Sequence, residues 1–224
     1  MKDKKESKKA FFILLAISII VVVAILIFEK GSKVLNQSKY EDLDKIVIDS
    51  ELSNIEVEFL DTDSVSILIY GKANDELSVK EEDKTLTIKK TSTKGVCILN
   101  CDDKIILYLP KEFERLDITT QMGNIDAKEV IINDVNIKSK IGNVNLGTIK
   151  SANIETEIGN VTIENFEGEF DSYIKTDTGN VTIRKTKNLD VEAKTNSGKV
   201  NVKETKDNDY VLTIETNVGN IKVK

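Results

Sequence analysis

Histidine and tryptophan are absent from this 224-residue chain, proline occurs once, cysteine twice, and aromatic residues make up only 5%. The missing histidine removes the commonest general base and the commonest neutral metal ligand together. With so few rings, a core must be filled by aliphatic side chains, which the 40% hydrophobic content supplies. Cys97 and Cys101 are spaced C-x₃-C, which is not the C-x-x-C of redox proteins, and two cysteines without histidine make a poor metal set. Outside the cell a disulfide between them is chemically allowed. Along an extended strand four residues cover about 13 Å, beyond the ~4–7 Å that a bridge tolerates between α-carbons. A bridge therefore requires a turn near Leu99-Asn100, and the alternative is one buried and one exposed thiol.

The net charge is −6, but it is unevenly placed. Residues 1–30 hold six lysines and three acids, so the rest carries 32 − 6 = 26 basic and 38 − 3 = 35 acidic residues, or −9. Such a surface repels phosphate backbones, and nucleic acid is not an expected partner.

What the chain does have is a repeat. Gly123, Gly142, Gly159, Gly179, Gly198 and Gly219 follow one another at intervals of 19, 17, 20, 19 and 21 residues. Three residues before each stands a small hydroxyl: Thr120, Ser139, Thr156, Thr176, Thr195 and Thr216. Five before stand Ile118, Ile137, Ile154, Ile174, Ala193 and Ile214, and two after stand Ile125, Val144, Val161, Val181, Val200 and Ile221. The next residue is asparagine in five units (Asn124, Asn143, Asn160, Asn180, Asn220) and Lys199 in the sixth. Apolar residues two apart share one face of an extended chain, so each unit reads as strand, tight turn, strand, with glycine supplying a positive φ at the turn. A unit of about 19 residues buries too little to fold alone, so units must stack. The expected fold is all-β, a β-solenoid of these units, and a sandwich of antiparallel hairpins is the rival.

Along the chain, residues 1–9 form a cytoplasmic lysine-rich head with five lysines. Residues 10–28 are an apolar run with Ser18 as its only polar member, about 28 Å long as a helix, which matches the hydrocarbon core. No small-residue cleavage site follows it, so an uncleaved transmembrane signal-anchor helix is expected, with the head inside and the C-terminal domain extracellular. Residues 29–44 read as a polar stalk and 45–224 as the extracellular domain, its regular repeats spanning 116–224. Residues 46–57 are expected to be a degenerate first unit with Ser53 in the glycine slot. Between it and Gly123 the period blurs into strand candidates at 65–70, 76–79, 85–88 and 105–109. That section is expected to cap the N-terminal end, whereas the far end stops at a repeat strand where Lys222 and Lys224 would discourage edge pairing.

Sites for chemistry are scarce. The asparagine column is expected to form a structural amide ladder, and the threonine column to face inward or sit at the turn. Asp102-Asp103, Asp207 and Asp209 read as solvated turn charges, and no G-G-x-G-x-D string marks a calcium roll. Two arginines in dissimilar contexts, Arg115 and Arg184, without paired carboxylates in recurring columns, give no catalytic constellation. No catalytic, cofactor or metal residue is therefore expected.

The unit Leu116-Asp117-Ile118-Thr119-Thr120-Gln121-Met122-Gly123-Asn124-Ile125, entered after Leu109-Pro110, resembles the bacterial "putative adhesin" domain with Gly-Asn β-strand repeats. The resemblance covers about residues 45–224. It implies a membrane-anchored cell-surface protein of unassigned function, often behind a single membrane helix, and brings no catalytic residues. The function expected is a non-enzymatic, adhesin-like interaction module meeting a cell-wall polymer or envelope protein. The alternatives are an accessory of envelope-stress sensing and, more remotely, a carbohydrate-active enzyme. For the cysteines, thiol titration with and without reductant decides, and two titratable thiols in the untreated protein exclude a bridge.

Overall fold

Isoleucine, valine and threonine at alternate positions favour extended backbone, and in the computed structural model every regular element is a strand. The structure describes residues 33–92, 103–203 and 208–224. The strands are β1 (Lys33–Tyr40), β2 (Lys45–Leu52), β3 (Asn54–Phe59), β4 (Val65–Gly71), β5 (Glu76–Glu82), β6 (Thr85–Thr91), β7 (Lys104–Leu109), β8 (Glu112–Met122) and β9 (Ile125–Ile141). They continue with β10 (Val144–Ile158), β11 (Val161–Glu167), β12 (Ser172–Thr178), β13 (Val181–Ile183), β14 (Thr186–Lys187), β15 (Leu189–Ser197), β16 (Val200–Val202), β17 (Tyr210–Val218) and β18 (Ile221–Val223).

Equivalent strands pair in parallel and in register, which decides for the stack over the hairpin sandwich. On one face the order is β6, β2, β8, β9, β10, β12, β17, β15, and on the other β7, β3, β9, β10, β11, β13, β18, β16. Strands β9 and β10 are long because each lies on one face with its first residues and on the other with its last. In-register pairing makes columns of like residues. One runs Ile88, Ile48, Ile118, Ile137, Ile154, Ile174, Ile214, Ala193, and its isoleucines are at most 1% exposed. Each such side chain contributes about 1.5–3 kcal/mol by leaving water.

Stacking order departs from chain order at both ends. The first unit, β2–β3, lies inside the later β6–β7, and the last, β17–β18, is inserted between β12–β13 and β15–β16. Lys222 and Lys224 therefore do not guard the far edge, contrary to the expectation from chain order, because the edge rung is β15–β16. Strands β6 and β7 are themselves a repeat unit: Ile88 aligns with Ile48, and Ile105 with Ile55. Twelve residues separate the end of β6 from the start of β7, against one between β2 and β3, which hides the period in the sequence.

The N-terminal end is covered as expected of the irregular section. β4 pairs antiparallel with β7, β1 with β4, and β5 with β6. Residues 33–40, expected in a stalk, instead form β1 of this cover, since Leu35 and Tyr40 pack against the core. Under the cover lies a buried ion cluster. Lys90 takes the small-hydroxyl slot of its unit, in register with Ser50, and points inward with its side chain fully enclosed. Its Nζ lies 2.6 Å from Asp103 Oδ2 and 3.0 Å from Asp75 Oδ2. Asp103, read from sequence as a solvated turn charge, is only 5% exposed, because the corner folds it beneath the cover.

Removing one member of such a cluster strands the others without water. Lys90→Met is expected to lower the unfolding free energy by about 3–5 kcal/mol in urea titrations. The exposed Lys84, paired with Asp42 at 2.9 Å, is the control, and Lys84→Met leaves the midpoint in place.

Candidate interaction face

The corner between the two strands of each unit is set by how closely rungs approach. A β-carbon at Gly142 would lie 2.0 Å from the Gly123 carbonyl oxygen, one at Gly159 1.9 Å from that of Gly142, and one at Gly179 1.8 Å from that of Gly159. The column continues in stacking order through Gly219, against Gly179 at 1.8 Å, and Gly198, against Gly219 at 1.9 Å. Backbone oxygen cannot yield, so only glycine fits. Positive φ, the reason read from sequence, holds at Gly123, Gly142, Gly198 and Gly219 with values of 150–156°. Close approach operates at all six.

Beside the glycines runs the asparagine ladder. The side-chain oxygen of Asn54 accepts the Asn124 backbone N–H, Asn124 that of Asn143, Asn143 that of Asn160, Asn160 that of Asn180, Asn180 that of Asn220, and Asn220 that of Lys199, all at 2.8–3.0 Å. Lys199 breaks the asparagine run for a physical reason. Among the described residues it belongs to the outermost rung, where no further N–H waits for an acceptor. The hydroxyl column faces inward at this corner, and Thr176, Thr195 and Thr216 donate to glycine carbonyls of the adjoining rung at 3.0–3.2 Å.

Outside, the face formed by β8, β9, β10, β12, β17 and β15 carries a charge column four residues before the glycines. In stacking order it reads Lys89, Asp49, Thr119, Lys138, Glu155, Lys175, Glu215, Lys194. The signs alternate without a like-charged neighbour. In chain order Lys175 and Lys194 would be adjacent, so insertion of the last rung between them removes a repulsion. Nearby, Arg115 bridges Asp117 at 3.0 Å and Asp134 at 2.8 Å.

Directly before the glycines runs an apolar ridge that sequence reading missed. Met122, Ile141 and Ile158 follow one another on adjacent rungs, with Ile141 42% and Ile158 52% exposed. Val218, farther along the same column, is exposed as well. Strand alternation hid it: the residue before each glycine, Met, Ile, Ile, Thr, Ser or Val, shares the parity of the inward-facing positions three and five before, and it reaches the surface only at the corner. A groove lined by Thr119, Gln121, Lys138, Lys140, Glu155 and Lys175 runs along one flank, and Leu52, Met122, Ile141 and Ile158 line a second that shares Gln121 and Lys140. The combination is an extended strip, apolar along its crest and studded with amide and charged groups beside it.

Burial and a hydrogen bond to Glu215 raise the Tyr173 hydroxyl, burial raises Tyr108, a hydrogen bond to Asp117 raises Arg115, and one to Glu112 raises Lys150. Each shift strengthens the form already present at neutral pH. Among the described residues, no group of three or more Asp, Glu, Cys or His could hold a metal ion, and no helix is long and apolar enough to cross a membrane. Cys97, Cys101, Asp102, Asp207 and the apolar run 10–28 lie outside the described residues.

A wound sheet with a glycine corner on every regular rung, followed by asparagine on five of the six, defines a β-solenoid of a single repeated unit. Residues 43–224 match the family Toastrack DUF4097, and the chain belongs to that family. No curated protein sequence matches it significantly. Among solved structures it is similar to a "putative cell adhesion protein" from Clostridium sporogenes ATCC 15579, at 12% identity and a TM-score of 0.52, covering 86% of this chain and 99% of that one. A "putative adhesin" from Bacteroides fragilis NCTC 9343 is similar at 19% identity and a TM-score of 0.43, covering 86% and 97%. At these identities the Clostridium protein shows the shared fold.

The corner makes two separable demands. Gly159→Ala is expected to cost about 3 kcal/mol or more, because the obstacle is backbone. Asn160→Ala, which removes one acceptor, costs about 0.5–1.5 kcal/mol, and Lys199→Ala, at the end of the ladder, is neutral within about 0.5 kcal/mol. Urea midpoints of the three variants check this ranking.

Proposed function

We propose that the protein is a non-enzymatic, adhesin-like surface module whose corner strip binds an extended envelope polymer or protein. In this reading the run 10–28 anchors it in the cell membrane, the lysine head 1–9 stays in the cytoplasm and the solenoid stands outside. The observation that carries it is the crest of half-buried Met122 and exposed Ile141 and Ile158 with its grooves. Rungs repeat at about 4.8 Å, so the strip presents apolar groups on three successive rungs and amide groups along the asparagine ladder at regular steps. A ligand that is itself a chain can meet several of them at once, and weak contacts then add up. Exposed isoleucines in a row add nothing to the core and are the kind of patch that marks a contact surface.

The test is binding of the purified extracellular domain to peptidoglycan sacculi, teichoic acid and matrix proteins. Ile141→Asp combined with Ile158→Asp is expected to weaken binding about tenfold or more while leaving the melting temperature in place, a loss of about 1.4 kcal/mol or more. Absence of binding to every one of these polymers, or binding indifferent to the two substitutions, overturns the reading.

A further inference from the structure

The two ends of the stack are finished differently. At the N-terminal end β1, β4 and β5 cover the outer rung. At the other end, among the described residues, no strand pairs with the outer edge of β15. The interior columns open there: Leu212, Ile214 and Ile221 are at most 1% exposed, while their column neighbours Val191 and Ala193 are half-buried and Val200 is 46% exposed. The N–H and C=O groups along that edge form a template for another strand.

We propose that the covering strand is β15 of a second copy, paired antiparallel about a twofold axis through Ala193. The strand is Leu189-Asp190-Val191-Glu192-Ala193-Lys194-Thr195-Asn196-Ser197. Pairing Ala193 with Ala193 sets Glu192 opposite Lys194 of the second copy, and Lys194 opposite its Glu192. Val191 then faces Thr195 on the core side, and Asp190 faces Asn196 on the solvent side. Moving the axis to Lys194 sets lysine against lysine, and moving it to Glu192 sets glutamate against glutamate. A shift of a single residue turns one core to the solvent side, because side chains alternate faces. Of these registers only that of Ala193 keeps both cores on one side and sets each Glu192 against a Lys194.

The chosen register also extends the existing charge pattern. The outer column ends on Lys194, beside Glu215, and the second copy's Glu192 becomes its next member. The neighbouring column ends on Glu192, beside Thr213, and gains a lysine. An isologous contact of this kind closes on itself, so it gives a dimer and takes the edge of β15 out of reach of a growing fibre.

The experiment uses the full chain in membranes, with Cys97→Ser and Cys101→Ser to clear the background and Ala193→Cys as the probe. Antiparallel partners lie about 4.5–5.5 Å apart at the α-carbon, within reach of a disulfide. Mild oxidation is expected to give a covalent dimer. Adding Glu192→Lys opposes lysines at both symmetric positions and cuts the yield about tenfold. Differently tagged chains carrying Glu192→Lys and Lys194→Glu are expected to cross-link to each other while each fails with itself. The unsubstituted full chain, sedimented in density-matched detergent, is expected at twice the monomer mass. A monomer there, no covalent dimer from the Ala193→Cys chain, or cross-linking indifferent to the charge reversals each overturns the proposal, and none of these bears on whether the corner strip binds a polymer.

Discussion

At every regular corner the carbonyl oxygen of the residue in the same slot of the adjoining rung, Ser53 for Gly123 and a glycine for the rest, lies so close to the glycine that no space is left for a β-carbon. That single approach holds the rungs in register, and register makes each residue a neighbour of its own equivalents above and below. A side chain that stacks well on itself is favoured many times over, and one that repels itself is penalised as often. Isoleucine in the core and asparagine at the corner are self-compatible, the first by packing and the second because its oxygen accepts the backbone N–H of the following rung.

Charge is the case in which self-stacking fails, and the outer face shows the remedy. Along one column lysine and carboxylate alternate from Lys138 to Lys194, and the alternation requires the last rung to sit between β12 and β15. The irregular rung order is thus consistent with local electrostatics, although each exposed pair contributes only about 0.2–1 kcal/mol. The buried end of the stack uses a different remedy. Where the hydroxyl slot holds Lys90, two aspartates from outside the column converge on it instead of another lysine.

The stacking of the regular units was legible in the sequence because Gly, Asn, Thr and Ile recur in fixed columns, and pattern of that kind is a local property. The rung order was not, because it depends on which non-adjacent rungs meet. Two residues carry the trace of it all the same: Lys199 marks the rung that needs no acceptor, and the succession Lys175, Lys194 marks two rungs that should not touch. The β6–β7 unit was hidden for a plainer reason, since twelve residues separate its two strands where one separates β2 from β3. The apolar ridge escaped because it is not periodic in type, with Thr178 and Ser197 standing where Ile141 and Ile158 stand elsewhere.

Placing the first and last described repeat units inside the stack has a consequence for cooperativity. In a solenoid wound in chain order the end rungs have one neighbour each and open first. Here β2–β3 and β17–β18 each have a rung on both sides, and the exposed position falls to rungs held by chain at both of their ends. Insertion also means that the ladder of β15 is made with β17, which follows it in the chain, so the edge rung cannot pair until the segment after it is in place. The rung with the most open core thus depends on a strand from later in the chain, and its completion by a further strand extends the same rule that orders the interior.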